Sequence, residues 1–528
     1  MIRRLLVIAA LFIPIAWSLP TWQGYREETG RDQYSREFLG WIRSDDFHRY
    51  GSFIDQTRYH HAFFYQDYSA VEPQSPRMMA VYFYCLGITG ILTGLPAETL
   101  WLLSRFIAGW VFILVFLRFL SVWTADRSLK NTALFLVVFS TGFEYLGIFD
   151  HVPWARLKNT WMDGFSTFCS FHNPLKIAGI IGVLLLFISV DRYLKKPSSS
   201  GLWATSLLIL AAWAVHPNSA IPGYTGILAT VILVPPGPQT LRRIRERFAL
   251  LLPLAIPVGG IAAYIAWMRT DPVTANITRQ YSIKGLVEPY MLYPIRYGII
   301  LPLGLVGMML RLRRRSIPDV MLTGMLLGGE LFAHFAGMSG LLFQHMLHLP
   351  MAMLAAVTVE KVLGDRKVVR RAVFAVLIAG FFFQHIGVIR QVMQQTAEDV
   401  WPTSLYWTRG ELMAAERLRD MPPGNVLASR DSGNKIAWKS LHHVLLGHWG
   451  TTPDRGMKET DLRRFFDPGY SREGKRRILE KYRIRYIWYG PTERSKGLLD
   501  HRLDLHVIYE NAAVTLYRVQ PDTLNSSP

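Results

Sequence analysis

Residues 174–217 read PLKIAGIIGVLLLFISVDRYLKKPSSSGLWATSLLILAAWAVHP, and this stretch contains the pattern that decides the fold. Two apolar runs, residues 174–191 and 202–217, are separated by a short connection that contains the basic cluster Arg192–Lys196. An apolar run of roughly 17–25 residues can cross a bilayer as a helix. Short connections rich in Lys and Arg stay on the cytoplasmic side. The stretch therefore predicts two membrane helices joined by a cytoplasmic loop.

Lys and Arg cluster in every second connection of the chain. The clusters are Arg127–Lys130, Arg192–Lys196, Arg242–Arg247, Arg311–Arg315 and Arg366–Arg371. We expect spans near residues 4–19, 100–123, 131–149, 174–191, 202–217, 220–235, 249–268, 292–310, 319–337, 341–360 and 371–390. The pattern predicts a polytopic α-helical membrane protein with about eleven spans, a cytoplasmic N-terminus and an external C-terminal part. Asn218–Ala220 and Gly337–Gly340 would be short outer hairpins.

The composition restricts the class of protein. The chain has 528 residues, of which 50% are hydrophobic, and a formal net charge of +19. A basic total can indicate nucleic-acid binding. Here the positive clusters lie between apolar spans, so membrane topology explains them and no nucleic-acid partner is expected. Two cysteines, Cys85 and Cys169, imply no disulfide framework.

Two apolar segments require separate interpretation. Residues 1–19 lack a convincing small-x-small cleavage site, so we expect a retained first span and not a signal peptide. Met78–Leu95 is interrupted by glycines, and a full crossing there would invert every later basic connection. We expect this segment to be an outer interfacial or re-entrant element, which is tolerated where protein covers its backbone.

The chain is predicted to have two domains. Residues 1–397 would form the transmembrane domain, with a long outer loop at 21–77. Residues 398–528 read as a small soluble α/β domain on the outer side. Its candidate strands are Asn425–Ser429, Arg485–Tyr489, Leu505–Tyr509 and Val514–Val519, and its candidate helices are Asp461–Phe466 and Arg472–Tyr482. The last two strands flank Asn511-Ala512, which is typical of a hairpin turn.

Asp45 and Asp46, in the first outer loop, are the leading catalytic candidates. Two adjacent carboxylates repel when both are ionised, which raises one pKa or favours a bound cation. Either outcome suits a general base that removes a proton from a hydroxyl. The alternative is structural, because Ser44 or Asp45 could cap the helix that follows.

Further candidates lie in the outer connections. Arg156 and Lys158 could hold a phosphate oxygen, or could instead snorkel to lipid headgroups. His172 and His216 each stand beside a proline turn on the outer side, and Asp150 begins the same region as Arg156. A histidine at the end of a span is more often a hydrogen-bonding residue than a ligand, so the pair is a weak metal signal.

Several ionisable residues fall within or beside the outer halves of predicted spans, where such residues are costly and often functional. These are Arg105, Glu144, Glu330, His334, His345 and His348. The structural alternative is a satisfied pair such as Arg105 with Glu144, or a helix-packing hydrogen bond from Glu330 or His334. Their shared depth favours a common cavity, with Glu144, Asp150, Glu330 and His334 in supporting roles.

The order of these features resembles the GT-C superfamily of membrane glycosyltransferases. The resemblance is carried by the acidic pair after a first span, Phe171-His172-Asn173-Pro174, the His216-Pro217 turn and Gln344–Pro350. Residues 398–528, called the tail below, are also similar to the outer domain of bacterial members. The similar segments are Leu446-Gly447-His448-Trp449 and Arg485–Pro491. The resemblance spans most of the chain and implies a bacterial inner-membrane protein of GT-C-like fold.

The resemblance also implies a function. GT-C enzymes of this type take sugars from polyprenyl-phosphate carriers and transfer them outside the cytoplasm, so Asp45 or Asp46 would be the base. The acceptor would be an envelope glycan, lipid or protein. Arg105, Arg156, Lys158, His172, His216, His345 and His348 would bind substrate or phosphate, or a divalent cation would stabilise the departing phosphate. The Trp-Trp-Asp run of oligosaccharyltransferases is absent, which disfavours transfer of oligosaccharide to asparagine.

Two other functions fit a polytopic protein. A transporter or flippase of lipid-linked sugars predicts charges along a path through the whole bilayer, together with inverted repeats. No such repeat is detected, and the charges favour the outer half. A non-catalytic envelope-assembly protein would tolerate loss of Asp45 and Asp46 together, but would fail without residues 398–528.

Overall fold

The structure, a computed structural model, describes most of the chain. The described residues are 2–16, 18–19, 23, 33–34, 44–140, 173–234, 241–281, 297–335, 344–364, 407–500 and 502–520, with scattered residues between 366 and 394. The chain divides into two compact units. The first comprises Met1–Leu19, Leu102–Ala263 and Tyr281–Val392, and the second comprises Pro20–Trp101, Tyr264–Gln280 and Met393–Pro528.

Helices predominate in the described residues. They are α1 (Ile2–Ala16), α2 (Ser44–His60), α3 (Val81–Thr93), α4 (Ala97–Trp123), α5 (Arg127–Phe139), α6 (Pro174–Lys195), α7 (Ser199–Val215), α8 (Pro217–Leu233), α9 (Leu241–Phe248), α10 (Leu251–Met268), α11 (Pro272–Tyr281), α12 (Ile300–Leu312), α13 (Ile317–Phe335), α14 (Gln344–Leu363), α15 (Arg409–Arg419), α16 (Arg430–Lys439), α17 (Arg455–Phe466), α18 (Arg472–Lys481) and α19 (Pro491–Arg494).

The strands are short except at the end of the chain. They are β1 (Gln33–Tyr34), β2 (Phe64–Tyr65), β3 (Met78–Met79), β4 (Trp407–Thr408), β5 (Asn425–Leu427), β6 (His443–Val444), β7 (Ile484–Tyr489), β8 (Leu505–Glu510) and β9 (Thr515–Val519). All of these strands lie in the second unit.

Within the described residues, four helices are long and apolar enough to cross a membrane. They are Ala97–Trp123, Pro174–Lys195, Ile244–Met268 and His345–Leu363. The third comprises the end of α9 together with α10. Each coincides with a predicted span, so the expectation of a polytopic helical protein is supported. The count of about eleven crossings stays a prediction.

The basic connections of the first unit meet in pairs. Trp123, just before the first basic connection, donates its indole N–H to Asp319 across 2.9 Å, and Asp319 follows the fourth connection. Tyr193, in the second connection, donates to the carbonyl of Glu246, in the third, across 2.6 Å. Basic connections that alternate along an up-and-down bundle all lie at the same end of it, and these two contacts agree with that arrangement.

The helices of the first unit pack closely where glycines face a neighbour. A β-carbon at Gly307 of α12 would overlap the carbonyl oxygen of Leu354 in α14. A β-carbon at Gly324 of α13 would overlap Ala229 of α8. Small residues let helix backbones approach in this way, and membrane helices use them because lipid tails leave little hydrophobic drive for association.

One predicted turn differs in the structure. The prediction of a connection at Asn218–Ala220 is wrong, because α7 ends at Val215 and α8 begins at Pro217. His216 alone connects the two helices. Proline at the first position of α8 lacks the N–H that would be unpaired there and has its φ already set for a helix. The second predicted hairpin, Gly337–Gly340, lies outside the described residues.

The largest sheet among the described residues of the second unit has five strands in the order β6-β5-β7-β9-β8. Strand β5 runs parallel to β6 and β7, whereas β9 is antiparallel to β7 and β8. Side chains alternate between two buried clusters: Ile487 joins Phe465 and Leu479 in one, and Trp488 joins Leu418 in the other. Helices therefore cover both faces, which explains why β7 is apolar at consecutive positions.

The strands β5, β7, β8 and β9 lie where the sequence placed strand candidates, whereas α17 begins at Arg455 and not at Asp461, and α15 and α16 were not predicted. The turn of the β8–β9 hairpin is held by the Asn511 side chain, which accepts hydrogen bonds from the backbone N–H groups of Ala513 and Val514. The boundary between domains at residue 397 stays a prediction. The second unit contains the tail together with Pro20–Trp101 and Tyr264–Gln280.

The segment Met78–Leu95 forms β3 and α3. Helix α3 has 13 residues and ends at Gly94, whose φ of 72° is left-handed. A helix of this length is about 20 Å long, against about 30 Å for the hydrocarbon core of a bilayer. This length supports the expectation that the segment does not cross a membrane by itself.

Candidate functional site

Helix α2 places Asp46 in its first turn. A carboxylate is favourable there because the helix dipole is positive at its N-terminus. The next residue, Phe47, is buried and packs edge-on against Trp101 and Trp438, with ring centroids 5.9 Å and 5.2 Å away. The start of α2 is therefore fixed by aromatic packing on one side of Asp46.

A tail helix, α16, packs directly on α2. A β-carbon at Gly51 would overlap the Trp438 indole, so only glycine permits this approach. The indole N–H of Trp438 donates to Asp55 across 2.8 Å, and Arg58 donates to the other carboxylate oxygen across 2.7 Å. Burial raises the pKa of Asp55, while the charges of Lys439 and Arg58 oppose that rise.

A second ion pair fastens α16 at its C-terminal end. Lys439 pairs with Glu98, and both side chains are largely buried. The Lys439 ammonium also lies 3.6 Å from the centroid of the Trp438 ring, which is cation–π geometry. Removing water from such a pair strengthens its attraction and also raises its desolvation cost, so the pair fixes geometry more than it adds stability.

The segment between α2 and β3 also joins the edge of the tail sheet. The carbonyl of Tyr68 accepts a hydrogen bond from the backbone N–H of Val444 in β6. Thr452 donates its hydroxyl to the carbonyl of Ser69 across 2.8 Å. Lys458 pairs with Glu72 at 2.6 Å, and burial lowers the pKa of this lysine. Residues 68–72 thus dock beside the turn that follows β6.

That turn carries His448 to Asp46. The Nε2 atom of His448 lies 2.8 Å from Oδ1 of Asp46. The histidine side chain is fully buried, whereas 18% of the Asp46 side chain is exposed. The backbone N–H groups of Thr451 and Thr452 both bond to the carbonyl of His448, which closes the turn. The result is a carboxylate–imidazole pair in which the histidine is held rigidly and the carboxylate is reached by solvent.

Two of the predicted histidines meet in the first unit. Ser219 lies 2.6 Å from Nδ1 of His216 and 2.8 Å from Nε2 of His345. His216 precedes α8 and His345 lies in the first turn of α14, so the N-termini of two helices meet here. His348, one turn further along α14, is 3.1 Å from the hydroxyl of Ser140.

The remaining predicted residues fall into two groups. Arg105 is buried in α4 and Glu330 is half-buried in α13. The others lie outside what the structure describes: Glu144, Asp150, Arg156, Lys158 and His172 as residues, and Asp45 and His334 as side chains. Their roles stay predictions.

The described residues do not by themselves form a metal site. They include no cluster of three or more His, Cys, Asp or Glu side chains that could hold an ion. Asp46 with His448 supplies two ligand groups, whereas Mg²⁺ or Ca²⁺ needs about six to eight oxygen ligands in all.

The contact of His448 with Asp46 was not predicted from the sequence. His448 belongs to Leu446-Gly447-His448-Trp449, which carries the resemblance but no predicted site residue, and 402 positions separate it from Asp46. The sequence around His448 shows no helical or strand periodicity that would indicate which residue it contacts. The signal that could have found it is covariation between the two positions, which a single sequence does not contain.

Solved structures of similar fold identify the architecture. The oligosaccharyltransferase AglB of Archaeoglobus fulgidus, in a complex with Zn and sulfate, superimposes with a TM-score of 0.55 at 14% identity, over 92% of this chain and 68% of that one. The same protein with an inhibitory peptide and a dolichol-phosphate gives a TM-score of 0.53 at 12% identity, over 92% and 69%. The chain has the GT-C fold.

The other comparisons add little to this. The mycobacterial arabinofuranosyltransferase AftD matches over 98% of this chain and 40% of its own length, with 12% identity and a TM-score of 0.49. No protein-family model matches the sequence. No curated protein matches it either. Within the GT-C fold, the Asp46–His448 pair belongs to the second unit and the His216–His345 pair to the first.

Proposed function

We propose that this protein is an integral membrane glycosyltransferase that moves a sugar from a polyprenyl-phosphate carrier to an acceptor on the outer face of a bacterial inner membrane. The acceptor is an envelope glycan, lipid or protein. The observation that carries the proposal is Asp46, a carboxylate reached by solvent and held by a buried histidine in a chain of GT-C fold. In this proposal the N-terminus is cytoplasmic, and the loop at 21–77 and the tail are external.

The proposed reaction is a single displacement at the anomeric carbon. The acceptor oxygen forms a bond to that carbon while the bond from the carbon to the phosphate oxygen breaks. The acceptor proton goes to Asp46, and polyprenyl phosphate leaves. Because phosphate is already a good leaving group, the reaction needs a base and positive charge near the phosphate but no strong acid. Such a displacement inverts the anomeric configuration.

Phosphate recognition is assigned in this proposal to the histidines of the first unit. His216 and His345 stand at the N-termini of α8 and α14, and backbone N–H groups at a helix N-terminus favour an anion. Imidazole N–H groups add hydrogen-bond donors of their own. Arg105, Arg156, Lys158, His172 and His348 remain candidates for the same role, as predicted from the sequence.

The carrier is proposed from two kinds of support. The sequence resembles bacterial GT-C enzymes that use polyprenyl-phosphate sugars. The AglB structure of similar fold was determined with dolichol-phosphate, and another was determined with a tethered acceptor peptide containing the NVT sequon. A lipid phosphate as carrier fits both, whereas the absent Trp-Trp-Asp run disfavours an asparagine acceptor.

The test is transfer by the purified protein. The full chain in detergent, with and without Mg²⁺, is incubated with undecaprenyl-phosphate-linked glucose, mannose, galactose or arabinofuranose and with a cell-envelope extract that supplies glycan, lipid and protein acceptors. Release of undecaprenyl phosphate and transfer of the sugar to the extract are both measured. We expect one sugar donor to be consumed. Asp46→Asn should lower the rate by about 10²- to 10⁴-fold, the usual contribution of a general base. Asp504→Asn is the control, because that side chain is 50% exposed and distant in sequence from the pair.

Three results would contradict the proposal. One is full activity in Asp45→Asn, in Asp46→Asn and in the double variant. Another is movement of a lipid-linked sugar across vesicles without chemical release, which favours a flippase. The third is envelope assembly that persists without both aspartates, which favours a non-catalytic role.

A further inference from the structure

The turn after β6 determines which nitrogen of His448 carries the proton. The backbone N–H of Gly450 donates to Nδ1 of His448 across 3.2 Å. A ring nitrogen that accepts a hydrogen bond carries no hydrogen, so the neutral imidazole has its hydrogen on Nε2. Nε2 is the atom that lies 2.8 Å from Oδ1 of Asp46. The hydrogen-bond network therefore assigns His448 as the donor and Asp46 as the acceptor.

The same contacts exclude a shuttle role for this ring. Nδ1 is occupied by Gly450 and Nε2 by Asp46, and the side chain is fully buried. A second proton on the ring would have to displace the Gly450 N–H. A ring held in this way orients its partner and does not carry protons to solvent.

We propose that His448 is a positioning residue that holds the Asp46 carboxylate in the orientation needed to accept the acceptor's proton. This inference rests on the proposed glycosyl transfer. The tail thus completes a catalytic group that the first outer loop provides. A small error in the placement of a catalytic group can lower a rate about 10²-fold.

The activity test uses two substitutions that differ in one hydrogen-bond donor. Glutamine can place an amide N–H where the Nε2–H lies, and leucine fills similar space without a donor. We expect His448→Leu to lower kcat on the order of tenfold to a hundredfold, with little change in KM for the sugar donor. His448→Gln should restore most of the loss. His506→Leu, at an exposed histidine of β8, is the control.

Wild-type kcat in His448→Leu would overturn the inference. An equal loss in His448→Leu and His448→Gln would also overturn it, because a purely packing role predicts no rescue by an amide donor.

A second measurement does not depend on transfer. Nitrogen-15 NMR of histidine-labelled protein should show His448 with Nε2 protonated and Nδ1 unprotonated, assigned by loss of the signal in His448→Gln. Asp46→Leu should shift the Nε2 resonance. An Nδ1-protonated ring would refute the contact and with it the inference. An intact contact in a wild-type protein that releases no undecaprenyl phosphate would refute the proposed function and leave the geometry in place. Undiminished transfer in His448→Leu would refute the positioning role alone.

Discussion

Replacing Trp438 by Phe removes one hydrogen-bond donor from the interface between α2 and α16. The indole N–H of Trp438 is 2.8 Å from Asp55, whose residue is only 6% exposed. A hydrogen bond to a charged group contributes about 1.5–3 kcal/mol, and its loss leaves a buried carboxylate with one fewer partner. Since 1.4 kcal/mol is a factor of ten, local opening of α16 should become about 10- to 140-fold more frequent.

The assay is amide hydrogen exchange of the peptide covering α16, which reports the free energy of local opening. Trp488→Phe is the matched control. That tryptophan is 1% exposed, and among the described residues its indole nitrogen has no hydrogen-bond partner. The two variants lose the same ring volume, so the difference between them reports the hydrogen bond together with the weaker contact of Lys439 with the smaller ring.

The ionisation of Asp55 determines how the stability deficit of Trp438→Phe changes with pH. Its pKa is raised above the ordinary 3.8 by burial, and loss of the indole donor raises it further because the ionised form gains more from that donor than the protonated form does. The deficit of Trp438→Phe is therefore largest near neutral pH and shrinks as the pH falls toward the folded-state pKa. Equal exchange in the two tryptophan variants, or a deficit that grows on acidification after correction for intrinsic rates, would refute this reasoning.

Three further predictions concern other parts of the chain. Gly307→Ala should destabilise the first unit by about 1–3 kcal/mol, because the added β-carbon overlaps Leu354. Gly259→Ala is the control, because a β-carbon there meets no atom within 4 Å. Thermal unfolding of the two variants in detergent measures the difference in stability. Burial raises the pKa of Glu493 above its ordinary 4.5, so the protonated side chain favours the folded state and this contribution is lost as the pH rises from about 4.5. Glu493→Gln should remove this pH-dependent loss, which is at most about 1.4 kcal/mol per pH unit. His345→Ala should raise KM for the sugar donor, and an unchanged KM would remove it from phosphate recognition.

Local patterns in the sequence predicted the parts of the fold that depend on neighbours in the chain. The hairpin at Leu505–Val519 was predictable because Asn511 bonds the two backbone N–H groups that follow it. The start of α6 was predictable because Asn173 caps it and Pro174 occupies its first position. The connection between α7 and α8 was predicted at Asn218–Ala220, but it is the single residue His216. Connections of one residue and of three residues can both join consecutive helices, so the apolar pattern does not decide between them.

The candidate site depends on pairings that no local pattern specifies. Asp46 was proposed for its acidic neighbour, yet the structure holds it through His448, which is 402 positions away. Residues 68–72 read as a polar loop, and their carbonyl groups accept bonds from the edge of the tail sheet. The sequence therefore predicted the type of residue in the site but not the assembly of the first loop with the tail.

This assembly changes which experiment separates an enzyme from a scaffold. Deleting the tail would remove a binding module from a scaffold, and it would also remove His448 and the α16 contacts that fix α2. Both hypotheses then predict the same loss, so truncation cannot decide between them. Asp46→Asn and His448→Leu leave the backbone of both parts in place and remove only the base or its hydrogen-bond donor. A scaffold tolerates these changes, whereas a transferase loses turnover while its amount in the membrane is unchanged.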